Sequence, residues 1–290
     1  MQDDLLKNKK SYSTLNQAEE EVTSQLLLGL TLFSSVLFVF SALILRFLLT
    51  LQTAVFLWIF SIHFQYRLLD IQFSTIDSTK WPYLKIVLVF GLGYLVLSFA
   101  GIFLLIALKK IHRIPWKIKL FLTWMAFLLV HALPAGLLAG ILFFNGFGIA
   151  FQWTVSSILV RSMTGVVVLG IMVLFRNSWA KLFLKTCPNS AFLKNDKYKS
   201  WYIKHVFFIS WIIGYVFLLA YNKPLLNGYW PVFFLSIGIV ATPLFLQSEF
   251  NTSSSVRKSE TIIFKSLYPV LFLLCILVLA WLARYGRIDF

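Results

Sequence analysis

Acidic side chains are what this chain has least of. It holds 11 Asp and Glu among 290 residues, against 26 Lys and Arg. They lie at positions 3, 4, 19, 20, 21, 70, 77, 196, 249, 260 and 289, and none falls near the centre of a clear apolar run. A proton or cation pump normally needs acids inside the membrane, so that class is disfavoured. So is aspartyl intramembrane proteolysis, which needs a buried aspartate pair. Cysteine is almost lacking: Cys187 lies in a basic connection and Cys275 in the last apolar run. No disulfide, CxxC chemistry or cysteine metal site is expected from such a pair. The four histidines (63, 112, 131 and 205) form no HExxH zinc motif. No Walker A loop is present, and no GxSxG with a histidine partner. His63 and His131 share no helical register that would make a bis-histidine haem site. No cofactor and no metal are expected.

Apolar surface is what the chain has in abundance. It is 59% hydrophobic, 18% aromatic and 13% charged, with mean hydropathy +0.83. An ordinary soluble domain does not have this composition. Runs of roughly 20 apolar residues recur, each enough to cross a hydrocarbon core of about 30 Å as a helix. The expected fold is all-α, a polytopic transmembrane helical bundle of 7–8 spans. Clear runs cover 22–45, 83–108, 119–144, 148–174, 204–221, 228–247 and 266–283. Residues 1–21 form a polar N-terminal tail carrying both charge signs, and 22–290 form a single transmembrane domain. The tail is too acidic for a signal peptide, and no small-x-small cleavage site follows it.

The net charge of +15 could suggest nucleic acid, but its distribution excludes that reading. Lys109, Lys110, Arg113, Lys117 and Lys119 crowd one connection; Arg176, Lys181, Lys185, Lys194, Lys197, Lys199 and Lys204 crowd another. Arg257, Lys258 and Lys265 mark a third, and these alternate with connections of little charge. By the positive-inside rule 109–119, 175–204 and 248–265 are cytoplasmic and the C-terminus is extracytoplasmic. A multi-pass protein of the cell membrane is expected, and richness in Phe, Ile and Lys points to a bacterial inner membrane. Membrane lipids are expected partners, and the basic connections are candidate docking sites for a protein. Within 175–204, Arg176 to Pro188 reads as an interfacial amphipathic helix, with Trp179, Leu182 and Phe183 on headgroups.

The stretch after the first run is ambiguous. Polar Ser61, His63, Gln65 and Arg67 alternate with Ile62, Phe64, Tyr66 and Leu68, a period of two that indicates extended chain. If 47–69 crosses the membrane there are eight spans and the N-terminus is outside, which is the version slightly favoured. If it lies at the interface there are seven and the N-terminus is inside.

Two titratable residues sit inside apolar runs. His131 precedes Pro134 in "FLLVHALPAG", and Arg161 lies in "SSILVRSMTG". Gly146 in the "NGFG" turn is fifteen residues from each. At about 1.5 Å per residue, an antiparallel pair would bring both to one level, roughly 22 Å from the turn and near the midplane. A strong kink at Pro134 would defeat this pairing. Thr154, Ser157, Arg161 and Thr164 follow helical spacing, so Arg161 has a polar face. Ala132, Gly136 and Gly140 form a small-residue stripe suited to close helix packing.

Three functions fit this pattern. One is binding or transport of an anionic or amphiphilic, lipid-like substrate at a midplane site of Arg161 and His131, with Ser157, Thr154 and Thr164 beside them. Another is a non-catalytic membrane subunit or assembly factor that docks a partner through the basic connections. The last is a lipid-modifying transferase using His131 as base. No catalytic residue is assigned, and an enzyme is the less favoured reading.

Overall fold

The computed structural model describes residues 2–67, 70–73, 81–111, 114–188, 193, 196–221, 229–246 and 288–289. Helix α1 runs Gln2–Ile59 without a break. Its first 27 residues after Met1 contain no Gly or Pro, so nothing in the polar tail stops the helix. Residues 47–59 continue this helix and do not form a second span. The part from Leu26 to Ile59 has 34 residues, a length of about 51 Å, so it reaches beyond a hydrocarbon core of about 30 Å.

Strands β1 (Phe64–Arg67) and β2 (Asp70–Phe73) follow as an antiparallel hairpin; β1 falls where the period-two alternation predicts extended chain. A short strand β3 (Ile288–Asp289) pairs with the other edge of β1. This small sheet is the one departure from an all-helical chain among the described residues.

Helices α2 (Tyr83–Phe90) and α3 (Leu92–Lys110) meet at Gly91. The break removes a helical partner from the Leu88 carbonyl. Gln52 of α1 supplies a replacement, its Nε2 donating to the Leu88 carbonyl at 3.1 Å. Helices α4 (Trp116–Val130) and α5 (Ala132–Leu142) are bent by 45° at His131. Pro134 has no N–H, and its ring clashes with the carbonyl four residues back, at Val130. The bend strands the Leu133 N–H, which donates to Ser98 Oγ of α3 at 3.0 Å.

The apolar run at 148–174 is not one helix. It divides into α6 (Phe147–Thr154) and α7 (Ile158–Leu174), separated by residues 155–157. Helix α8 (Arg176–Leu184) then continues the direction of α7. Its apolar side chains enter the protein core and do not lie on headgroups as expected: Trp179, Leu182 and Phe183 are all buried. Trp179 packs edge-on to Phe127 at 5.0 Å, and Phe183 does the same to Trp124 at 5.0 Å.

Helix α9 (Asp196–Ile203) leads through a π-helical turn at Lys204–Ile209 into α10 (Ser210–Tyr221). Ser34 Oγ of α1 donates to the Val206 carbonyl in this turn and accepts the Trp124 indole N–H at 2.8 Å. Helix α11 (Tyr229–Leu246) closes the bundle. Among the described residues, four helices are long and apolar enough to cross a membrane, and the bent α4–α5 pair makes a fifth. This is a helical membrane protein.

The contacts orient its ends. Phe33 packs on Trp116 at 5.7 Å, beside the 109–119 connection, so the early part of α1 lies at the basic end. The sheet lies at the far end, where Leu57, Phe64, Trp81, Ile86 and Phe90 form a small core with Ile149 and Ala150. The larger core, around Trp124, Phe127, Phe183 and Phe207, fills the rest of the bundle.

Candidate functional site

His131 and Arg161 are not neighbours. His131 is 2% exposed, and its Nδ1–H donates to the Phe127 carbonyl at 2.6 Å. Its ring lies 4.4 Å from that of Phe127 and 5.3 Å from that of Trp179. Thus α8, not α7, passes His131. Helix α7 crosses α5 further out, where Gly165 packs against Ile141 and Leu138. Arg161 lies one turn beyond Gly165, toward the far end. Counting along α5 and α7 at about 1.5 Å per residue separates His131 from Arg161 by roughly 20 Å. The shared midplane level fails for two reasons. Pro134 bends the first helix, and the segment assumed to be a turn holds an extra helix.

The other residues of that candidate set serve the local backbone. Ser157 caps α7 by accepting the Val160 N–H at 3.5 Å, and Thr164 Oγ1 donates to the Val160 carbonyl at 2.8 Å. Thr154 Oγ1 donates to the Ala150 carbonyl at 2.7 Å and accepts from Tyr83 Oη at 3.2 Å. The small-residue stripe is where the extra helix seats. Ala132 is buried, Gly136 faces Tyr94 and Phe147, and Gly140 faces Gly148.

That extra helix builds a different polar cluster. After α5 reaches the far end, residues 143–146 turn back into the bundle before α6 runs outward again. Gly146 makes this possible: its φ is +52°, a region that favours glycine. A Cβ there would lie 2.8 Å from the Tyr229 ring and 2.9 Å from Tyr94 Oη. The Gly146 N–H donates to Asn145 Oδ1 at 2.7 Å. The Phe147 N–H donates to Tyr229 Oη at 3.2 Å, and Tyr229 O–H donates to Tyr94 Oη at 2.9 Å. Tyr229 and Tyr94 are 0% and 4% exposed. Tyr94 O–H ends this chain with no acceptor among the described residues. Arg46 of α1 stands beside it, its guanidinium 5.0 Å from the Trp230 ring centre and within electrostatic reach of Tyr94.

Two of its donors, the Phe147 N–H and the Tyr229 O–H, are engaged within the relay, which ends at the Tyr94 O–H with the Arg46 guanidinium within electrostatic reach. From Tyr94 to Lys109 is fifteen residues of α3, about 22 Å from the basic end and so well inside a core of about 30 Å. Arg46, near Tyr94, is therefore an arginine inside the bundle that the sequence reading did not single out. An apolar run ended at 45 hides it at a span boundary. The signal that finds it is the further apolar stretch from Phe47 to Phe60, which contains no Gly or Pro.

Among the described residues no group of three or more His, Cys, Asp or Glu could hold a metal ion. Cys275 lies outside the described residues, as does the apolar run 266–283. No family model, curated protein or solved structure matches the chain.

Proposed function

We propose that this is a seven-span protein of the cell membrane that binds and transports an anionic or amphiphilic, lipid-like substrate at the Arg46–Tyr94–Tyr229 cluster. One observation carries the reading: a hydrogen-bond relay from α6 through α11 ends on the Tyr94 O–H of α3, with Arg46 of α1 within electrostatic reach, in a chain whose spans contain no central carboxylate. A phenol O–H and a guanidinium in low dielectric are complementary to an anion. Broken helices that meet near mid-depth are a recurring way to build such a site. His131 supports the bend from the aromatic core.

The seven-span topology has its own support. Ser210 Oγ donates to the Thr31 carbonyl at 2.9 Å, and Trp211 Nε1 to the Phe234 carbonyl at 3.3 Å. Helix α11 therefore runs from mid-depth at Tyr229 toward the basic end. Strand β3 lies on β1 at the far end. The apolar run 266–283 lies outside the described residues; its length suffices for one crossing, which is the seventh span of this proposal. Counting α6 as re-entrant, every basic connection then falls on one side, with the N-terminus cytoplasmic and the C-terminus outside.

The test is thermal unfolding in mild detergent with dodecyl phosphate, dodecanol or inorganic phosphate. Dodecyl phosphate is expected to raise Tm in the wild type and to do so much less in Arg46→Gln and Tyr94→Phe. An equal rise with dodecanol, or an undiminished rise in both variants, refutes the site.

A further inference from the structure

We infer that Arg161 holds the phosphate of a membrane lipid at the far end of α7, a site separate from the Arg46 cluster and independent of it. Arg161 is the fourth residue of α7, about 5 Å along the axis from its start. From there to Leu184 is twenty-three residues, about 35 Å to the basic end. That places Arg161 at the edge of a core of about 30 Å, where lipid phosphates lie.

Its side chain is partly exposed, yet Nε is buried and has no hydrogen-bond partner. Guanidinium is always charged and needs acceptors for its N–H groups. The nearby hydroxyls of Ser157 and Thr164 do not provide one to Nε, which has no hydrogen-bond partner. Nor does a sequence neighbour, because no Asp or Glu occurs between Asp77 and Asp196. An oxyanion with two oxygens in one plane fits the Nε–Nη edge in a bidentate manner, as a phosphodiester does.

The surroundings favour a lipid over a free anion. Ile158, Leu159 and Met163 flank Arg161 and are 67%, 68% and 62% exposed. Val166 and Val167 continue this apolar surface toward the basic end. Among the described residues, of the four unbent helices able to cross, the one starting at Ile158 has the smallest buried share, 11% in its most apolar window. Acyl chains can lie along this surface while the headgroup meets the guanidinium. A small soluble phosphate would gain nothing from it.

Native mass spectrometry of the purified full chain tests the assignment. Three probes separate the sources: phosphatidylglycerol, diacylglycerol with the same chains, and glycerol 3-phosphate. The expected result is a phosphatidylglycerol adduct on the wild type that weakens about tenfold in Arg161→Gln. The Arg161→Gln loss is expected again in an Arg46→Gln background, so failure here and failure of the Arg46 site are distinguishable. Arg161→Lys keeps the charge but loses the fork, so it weakens the adduct several-fold and serves if the Gln variant does not fold. An adduct of equal strength in the variant that folds overturns the assignment. Equal binding of diacylglycerol would leave only a chain-binding surface, and equal binding of glycerol 3-phosphate a free-anion site; either also overturns it.

Discussion

Tyr94→Phe is the most informative single change. The ring stays and keeps its edge contacts with Phe147 at 5.3 Å and Phe233 at 6.2 Å. Only the hydroxyl is lost, and with it the acceptor for Tyr229 O–H, on a residue that is 0% exposed. A buried donor left without a partner costs about 1–3 kcal/mol in soluble proteins. Interhelical hydrogen bonds measured in membranes average about 0.6 kcal/mol and reach about 1.7. A loss of about 1 kcal/mol is therefore expected. Tyr229→Phe should cost more, because it also orphans the Phe147 N–H. In a Tyr229→Phe background, however, Tyr94→Phe has no donor left to strand and should cost almost nothing. The double variant should thus be more stable than the sum of the singles predicts, by about 1 kcal/mol. Equilibrium unfolding of the four proteins in mixed micelles measures this coupling. Additivity within about 0.3 kcal/mol would show that the two hydroxyls do not interact, and the relay from α6 to α3 would be wrong.

Other outcomes follow from the same contacts. Ser98→Ala should strand the Leu133 N–H at the α4–α5 bend and lower stability by about 1 kcal/mol, with faster amide exchange at Leu133 and unchanged dodecyl phosphate binding. Gly146→Ala should abolish the dodecyl phosphate shift, because φ of +52° and the nearby Tyr229 ring exclude a Cβ; a normal shift would show that the re-entrant turn is not needed. Trp124→Ala should cost about 3–5 kcal/mol by cavity formation, since Trp124 packs on Phe38, Phe183 and Phe207; a loss below 1 kcal/mol in the same unfolding assay would contradict that core. For orientation, an impermeant maleimide should label His63→Cys on intact cells, and Lys185→Cys only after permeabilisation; both positions are exposed. The opposite pattern would invert the topology.

Much of the architecture was legible locally. The lengths of the apolar runs announce helices that cross a membrane, because the backbone must bond to itself there. Pro134 announces the bend at His131, and the alternation from Ser61 to Leu68 announces the extended chain of β1 but not its pairing with β2. Other features gave no local signal. Trp179, Leu182 and Phe183 read equally well as interfacial or as core, and they are core. The run 148–174 reads as one span and is two helices. The expected level of His131 and Arg161 depended on counting through that run, so it failed with it.

The sequence by itself determined that this chain is helical, membrane-bound and short of acids, and where its positive charge lies. Only the tertiary structure decided which residues meet. In a membrane, lipid and protein interior are both apolar, so hydrophobic pattern separates span from loop but not lipid-facing surface from core. That is why Arg46, Tyr94, Tyr229 and Phe147, far apart in sequence, became one cluster only when a glycine turned the chain back into the bundle.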